Sequence, residues 1–281
     1  MPGLFSRSKQ LLKESLTVLK NEPSLLAFPI ISGIVSAIVT ASFFVPLYFA
    51  LGSNPEVVNT ESLTPVQYLM LFGYYLVSYF VVIFFQAGLI GAAHQRLNGK
   101  DVRFADGLQI ALDSLPRIFS WALISATVGI VLRALSDRSS LFGKVVVALI
   151  GAAWSVVTLF VIPIMVIEKQ SAGPAMKESL ALFKKTWGEN AIGQVGLGLA
   201  MMGLWILGLA PLAIAVLIQN WVAVTAAAIA LVCYWVGLAI LSSSLTGIFV
   251  AALYTYARTG AVPSAFSPEL VQGAFSGKLN K

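Results

Sequence analysis

The stretch VVVALIGAAWSVVTLFVIPIMVI, residues 145–167, holds no Asp, Glu, Lys or Arg. A helix of about 20 such residues crosses the hydrocarbon core of a bilayer, so this run is long enough to span one. Five other stretches read the same way, at 25–51, 66–93, 117–135, 191–218 and 221–257, and none of the six contains Asp, Glu or Lys. The chain is therefore expected to be all-α, a polytopic membrane bundle of six transmembrane helices forming a single membrane domain over residues 1–281. As one helix the last stretch would be about 55 Å long against about 30 Å of hydrocarbon. It must tilt, bend near 242–247 or extend beyond the membrane.

Composition agrees. Charged residues make up 11% of the chain and the mean hydropathy is +0.87, whereas a soluble domain carries about 25% charged residues. The basic residues alternate from one connection to the next. Arg7, Lys9, Lys13 and Lys20 precede the first span; Arg96, Lys100, Arg103 and Arg117 follow the second; Lys169, Lys177, Lys184 and Lys185 follow the fourth; Arg258, Lys278 and Lys281 close the chain. Only Arg133, Arg138 and Lys144 of the 18 basic residues fall on the other side. The positive-inside rule then makes the crowded side, with both termini, cytoplasmic. The net charge of +6 follows from this topology and gives no reason to expect nucleic acid as a partner. The first apolar stretch is too long for the 7–15-residue core of a cleavable signal, so it reads as a retained helix. A lone cysteine, Cys233, has no partner for an internal disulfide.

The basic connections repeat a pattern. Lys13-Glu14-Ser15-Leu16 with Lys20 matches Lys177-Glu178-Ser179-Leu180 with Lys184, and Asp113-Ser114-Leu115 is a shorter copy. Each lies ahead of an odd-numbered span. The reading is a threefold repeat of one short amphipathic cytoplasmic helix plus one hairpin, with units at about 4–96, 97–168 and 169–258 and a tail at 259–281. Apolar stripes at helical spacing mark the three helices: Phe5, Ser8, Leu12, Leu16 and Leu19; Phe104, Leu108, Leu112 and Leu115; Met176, Leu180, Phe183 and Trp187. Such helices suit a membrane interface, with lysines such as Lys177 and Lys184 toward anionic headgroups. Packed elbows are the plainer reading and active lipid sensing the sharper one. Pro23, Pro116 and Gly188 are expected to break each helix before the chain enters the bilayer.

Inside the spans the polar content is hydroxyls, amides and glycine. Gly33, Ala37 and Ala41 recur every four residues, as do Ala239, Ser243, Gly247, Ala251 and Thr255. Small residues at that spacing allow close helix packing or oligomerisation. Ser242, Ser243, Ser244 and Thr246 are the alternative lining of a narrow aqueous path. Gln86 and Gln194 are expected to hydrogen-bond between helices. Arg133 reads as a snorkelling side chain or, if it faces a lumen, an anion contact. Glu168 reads as an anchor for Lys169 or a neighbouring basic helix.

No enzyme chemistry is legible. His94 is the only histidine, so a paired-His metal site cannot form, and no phosphate loop, nucleophile elbow or dinucleotide fingerprint occurs. Asp106-Gly107 with Ala111 resembles the opening of the phospholipid alcohol-phosphotransferase signature, but the following arginine and the later aspartates are missing, and Asp113 stands without them. No catalytic residue, metal or cofactor is expected.

Four segments together resemble a family of uncharacterised prokaryotic six-helix integral membrane proteins, named only as a domain of unknown function. They are LFSRSKQLLKESLTVLKNEPSLLAFPIISGI at 4–34, HQRLNGKDVRFADGL at 94–108, WALISATVGIVLRAL at 121–135 and WSVVTLFVIPIMVIEKQSAGPAMKESLALFKKTWGE at 154–189. The arrangement of Pro163, Glu168, Ser179 and Trp187-Gly188 is also similar to membrane domains fused to glycerophosphodiester phosphodiesterases. The resemblance implies a prokaryotic cytoplasmic (inner) membrane and supplies no activity. The expected function is a nonenzymatic scaffold or accessory protein. Membrane lipids, a second copy of the chain and a further membrane protein are its expected partners. The alternative is a passive channel for a small neutral or anionic solute. The residues singled out are Ser243, Thr246, Gly247 and Gln86 for pore or packing, and Arg133, Glu168, Lys177 and Lys184 for interface or anion contact.

Overall fold

A computed structural model describes residues 16–17, 19–50, 65–137, 139–187, 202–261 and 263. Phe5, Ser8, Leu12, Gly188, Gln194 and the first part of the stretch 191–218, read above as parts of helices or their breaks, lie outside these residues. Among those described, all regular structure is helical. A short 3-10 turn, Pro23–Leu26, leads into α1 (Ala27–Ala50), followed by α2 (Pro65–Leu97), α3 (Phe104–Leu112), α4 (Leu115–Asp137), α5 (Leu141–Val157), α6 (Val161–Ile167), α7 (Ala172–Trp187), α8 (Ala210–Leu217) and α9 (Trp221–Thr259). Five helical runs are long and apolar enough to cross a membrane: Pro23–Pro46, Leu69–Leu97, Leu115–Ser136, Leu141–Ile167 and Trp221–Thr259. Met202–Leu217 is a shorter apolar helical run in the described part of the fifth stretch. The chain is a multi-pass membrane protein.

By its contacts the chain divides into two units. One takes in the described residues of 28–92 and 103–181. In it, α1 meets α2 through Thr40 Oγ1 and Tyr74 Oη at 3.4 Å, with the rings of Phe43 and Phe44 edge-on to Tyr74. The α4–α5 hairpin is joined by stacked Trp121 and Trp154, 5.8 Å apart. Small residues set the tightest crossing. A Cβ on Gly88 of α2 would sit 3.0 Å from the Gly107 carbonyl of α3, and a Cβ on Gly107 would sit 2.8 Å from the Gly88 carbonyl. Phe28 closes over both glycines and lies 4.7 Å from the Phe104 ring. The expected stripe Gly33, Ala37 and Ala41 is not part of this packing: all three are exposed.

The other unit takes in the described residues of 1–27, 93–102 and 182–281. Met202–Leu217 and α9 form a hairpin across the turn at Gln219 and Asn220, where Asn220 Oδ1 accepts from Val222 N and Ala223 N and caps α9. Helix breaks at Gly208 and Leu209, just before Pro211, which has no N–H to offer the carbonyl four residues back. Donors from α9 reach the turn before the break: Tyr234 Oη bonds Leu204 O at 2.9 Å and Trp235 Nε1 bonds Trp205 O at 3.4 Å. The long last span is a single continuous helix, Trp221–Thr259. Its second half is nearly all buried, from Ser244 to Tyr254, while Trp221, Val222, Ile229 and Val232 are exposed.

The connecting helices bury a different face from the apolar stripe. In α3 the buried residues are Gly107 and Ala111, followed by Ser114 just beyond its end, whereas Leu112 and Leu115 are exposed. In α7 the buried residues are Ala172, Ala175, Ser179 and Leu182, while Met176, Leu180 and Phe183 are half-buried and Lys177 and Lys184 exposed. Small side chains win the protein-facing side because they let two backbones approach, and the larger apolar ones are left toward the surroundings. Pro116 opens α4 rather than ending the preceding helix, since a proline in the first turn leaves no needed donor unmade.

Candidate functional site at the basic end of the spans

Several polar side chains of the described residues bond one another where the spans meet the basic connections, and each unit carries its own cluster. In the unit of residues 1–27, 93–102 and 182–281, α2 ends at a left-handed Gly99. Asn98 Nδ2 donates to the His94 carbonyl at 2.8 Å and lies 3.2 Å from His94 Nε2. His94 Nδ1 meets Thr255 Oγ1 at 3.1 Å, and that hydroxyl donates to Ala251 O at 2.9 Å. Because the threonine proton is used, its oxygen accepts from His94 Nδ1–H, and Nε2 then accepts from Asn98. The chain of donors fixes one tautomer. Tyr254 packs edge-on against the imidazole, 6.1 Å between ring centres. Beside it, Arg96 forms ion pairs with Glu22 and Asp101, each at 3.1 Å. Glu22 ends the N-terminal arm, so this cation ties the arm to the end of α2. His94 is thereby a structural crosslink between two span ends. Thr255→Val keeps the shape and strands His94 Nδ1–H, so it is expected to lower stability by about 1–3 kcal/mol. Thermal unfolding of the purified protein in detergent measures this, and an unchanged melting temperature would remove the crosslink from the account.

In the unit of residues 28–92 and 103–181 the first turn of α4 and the α6–α7 connection are joined by Arg117. Its Nη1 donates to Lys169 O at 3.2 Å, and its Nη2 to Asp113 O at 2.8 Å and to Ser114 Oγ at 3.2 Å. Lys169 takes a left-handed backbone, with φ of 57°. A lysine there is strained, and the arginine holds its carbonyl in place. Gln170 Nε2 donates both to Glu168 at 3.0 Å and to Glu178, bridging two carboxylates. Asp106 accepts from Arg103 N at 2.8 Å and so caps its own helix.

Residues 65–264 match the model of a family of unknown function, DUF6159. The chain belongs to that family. The DUF6159 match takes in α2 to α9 and both clusters apart from Glu22, and it starts after the resembling segment 4–34. No curated protein and no solved structure matches the chain.

The residues singled out in the sequence of this DUF6159 member differ in burial. Gly247 is buried in α9, Thr246 is half-buried and Ser243 is exposed; Gln86 is half-buried in α2. Arg133, Lys177 and Lys184 are exposed, and Glu168 is half-buried with Gln170 as a partner. Ser243, Thr246 and Gly247, at spacings of three and four, share one face of the continuous helix α9; the neighbouring Ser244 is fully buried and donates to Ile240 O at 3.0 Å. Among the described residues, no three His, Cys, Asp or Glu side chains converge as a cation site. Arg117, Thr255 and the Ser179 hydroxyl were not singled out as site residues. Ser114 and Ser179 had a signal, since they occupy the same place in the repeated motif and are 1% and 0% exposed.

Proposed function

We propose that this protein is a nonenzymatic scaffold or accessory protein of a prokaryotic cytoplasmic membrane, with both termini cytoplasmic, that self-associates through its spans and holds lipid or a membrane partner at the cytoplasmic boundary. The observation that carries the reading is the position of Gly33, Ala37 and Ala41. They lie on the exposed side of α1, and a Cβ on Gly33 would meet nothing within 4 Å. A small-residue stripe open to the bilayer suits close approach of a helix from a second copy. Exposed Lys177 and Lys184 on α7 suit anionic headgroups at the same boundary.

The span hydroxyls favour this reading over a passive channel. Thr127, Ser155, Thr225, Ser244 and Thr255 each donate to the carbonyl four residues back in their own helix. Their protons serve the backbone instead of a solute path. Replacing both Gly33 and Ala37 with leucine is expected to weaken self-association about tenfold, the effect of roughly 1.4 kcal/mol of lost packing. Subunit counting by single-molecule photobleaching across a range of protein-to-lipid ratios reads this directly. An unaltered distribution would sink the role of the α1 stripe. Solute flux through proteoliposomes would favour the channel.

A further inference from the structure

The run Leu141–Ile167 is interrupted between α5 and α6, at residues 158–160. In an unbroken α-helix Phe160 N–H would bond Val156 O, and Val161 N–H would bond Val157 O. Here Leu159 N–H takes Val156 O at 3.3 Å, and Val161 N–H turns to Thr158 O at 3.0 Å. Phe160 N–H and the Val157 carbonyl are left over, in a part of the chain where Phe160 and Val161 are fully buried. One side chain takes both: Ser179 Oγ of α7 accepts from Phe160 N at 3.1 Å and donates to Val157 O at 2.6 Å. A hydroxyl has one proton and two lone pairs, so a single oxygen can close the gap.

Pro163 explains why the span does not heal. A continuous helix would set the Leu159 carbonyl against a residue with no N–H, and the ring would clash with that carbonyl. In the first turn of α6 the same proline costs nothing. On α7, Ala172, Ala175 and Ser179 are buried along one side while Lys177 is exposed on another.

We propose that Ser179 is a latch that makes the docking of α7 and the break in this span one two-state event. With α7 docked, the span is broken and its freed backbone groups are bonded. With α7 displaced, those groups face apolar surroundings, which is costly, and the backbone must rearrange to recover them. A force on the exposed Lys177 side, such as an anionic membrane surface, therefore reaches the interior of the span through one hydroxyl.

Amide hydrogen exchange of the full chain in lipid nanodiscs tests the latch. Ser179→Ala is expected to speed exchange at 158–162 and along α7 together, by about tenfold, as removal of a buried hydrogen-bonding partner implies. Adding Pro163→Ala lets the helix close its own hydrogen bonds, so the double variant should exchange slowly at 158–162 while α7 stays fast. A Ser179→Ala protein in which α7 loosens and 158–162 does not, or in which neither changes, overturns the proposal. If Ser179→Ala alone yields no folded protein, the double variant is expected to fold. Its failure would overturn the proposal as well.

Discussion

Gly107→Leu is expected to leave no folded protein in detergent. A Cβ at this position would sit 2.5 Å from Phe28 Cζ, 2.8 Å from the Gly88 carbonyl and 3.0 Å from Ala92 Cβ. The ring of Phe28 has some freedom to move, but the carbonyl belongs to α2 and cannot yield without shifting the helix. The contact is reciprocal, since a Cβ on Gly88 would lie 2.6 Å from Phe28 and 3.0 Å from the Gly107 carbonyl. Even Gly107→Ala should therefore cost about 1–3 kcal/mol, the range for overpacking a tight interior. Leucine exceeds what local repacking can absorb. Gly33→Ala is the matched control, because nothing lies within 4 Å of its Cβ. In the middle of α1 it should gain up to about 1 kcal/mol from helix propensity. Thermal unfolding and the monodisperse fraction on size exclusion compare the two. Equal melting temperatures for Gly107→Ala and Gly33→Ala would contradict the close crossing.

Tyr254→Ala should be the most damaging truncation in the other unit. Among the described residues Tyr254 is the largest of the fully buried side chains, 2% exposed, and it packs edge-on against His94. Removing a buried aromatic side chain costs about 3–5 kcal/mol in soluble hosts, through lost contacts and the cavity left behind. In a membrane the unfolded reference also offers apolar surroundings, so the cavity and the lost van der Waals contacts carry the cost. Tyr254→Phe keeps the ring and changes only the hydroxyl, worth about 1 kcal/mol. The ordering Ala far below Phe, read as unfolding free energies in mixed micelles, is the checkable outcome. Similar values for the two would mean that the ring does not anchor the end of α9.

The two glycine patterns show where the sequence was legible and where it was not. Spacing by four pointed to Gly33, Ala37 and Ala41 as a stripe for helix packing or oligomerisation; within the chain these residues are exposed, and the close crossing is made by Gly88 and Gly107. Both sets allow close approach, because periodicity says which residues share a face and not which face finds a partner within the chain. Asp106-Gly107 with Ala111 resembles only the opening of a phospholipid alcohol-phosphotransferase signature that the chain does not complete. In the fold Asp106 caps α3, Gly107 makes the crossing and Ala111 is buried. The serines of the repeated motif were noticed as a pattern, but their burial could not be read from it. A serine next to charged residues on α7 reads as a neutral surface choice until the broken backbone it serves is in view.

By itself the sequence determined that this is a multi-pass helical membrane protein, and the DUF6159 match adds membership without an activity. Long charge-free runs leave the backbone no way to satisfy its polar groups in lipid except by forming helices, so span placement follows from local composition. Pro163 and Pro211, which stand in the first turns of α6 and α8 just after breaks in the helix, lack an N–H whatever surrounds them. Only the tertiary structure decided what meets the freed groups: Ser179 takes Phe160 N–H and the Val157 carbonyl at one break, and Trp235 reaches the Trp205 carbonyl that Leu209 N–H passes over at the other. It also decided that His94 is bonded to Thr255, 161 positions away in the chain. Such pairings depend on which helix faces meet, and in an apolar chain nearly every face is chemically acceptable to lipid. The choice then rests on shape and on a few buried hydrogen bonds, which sequence periodicity does not encode.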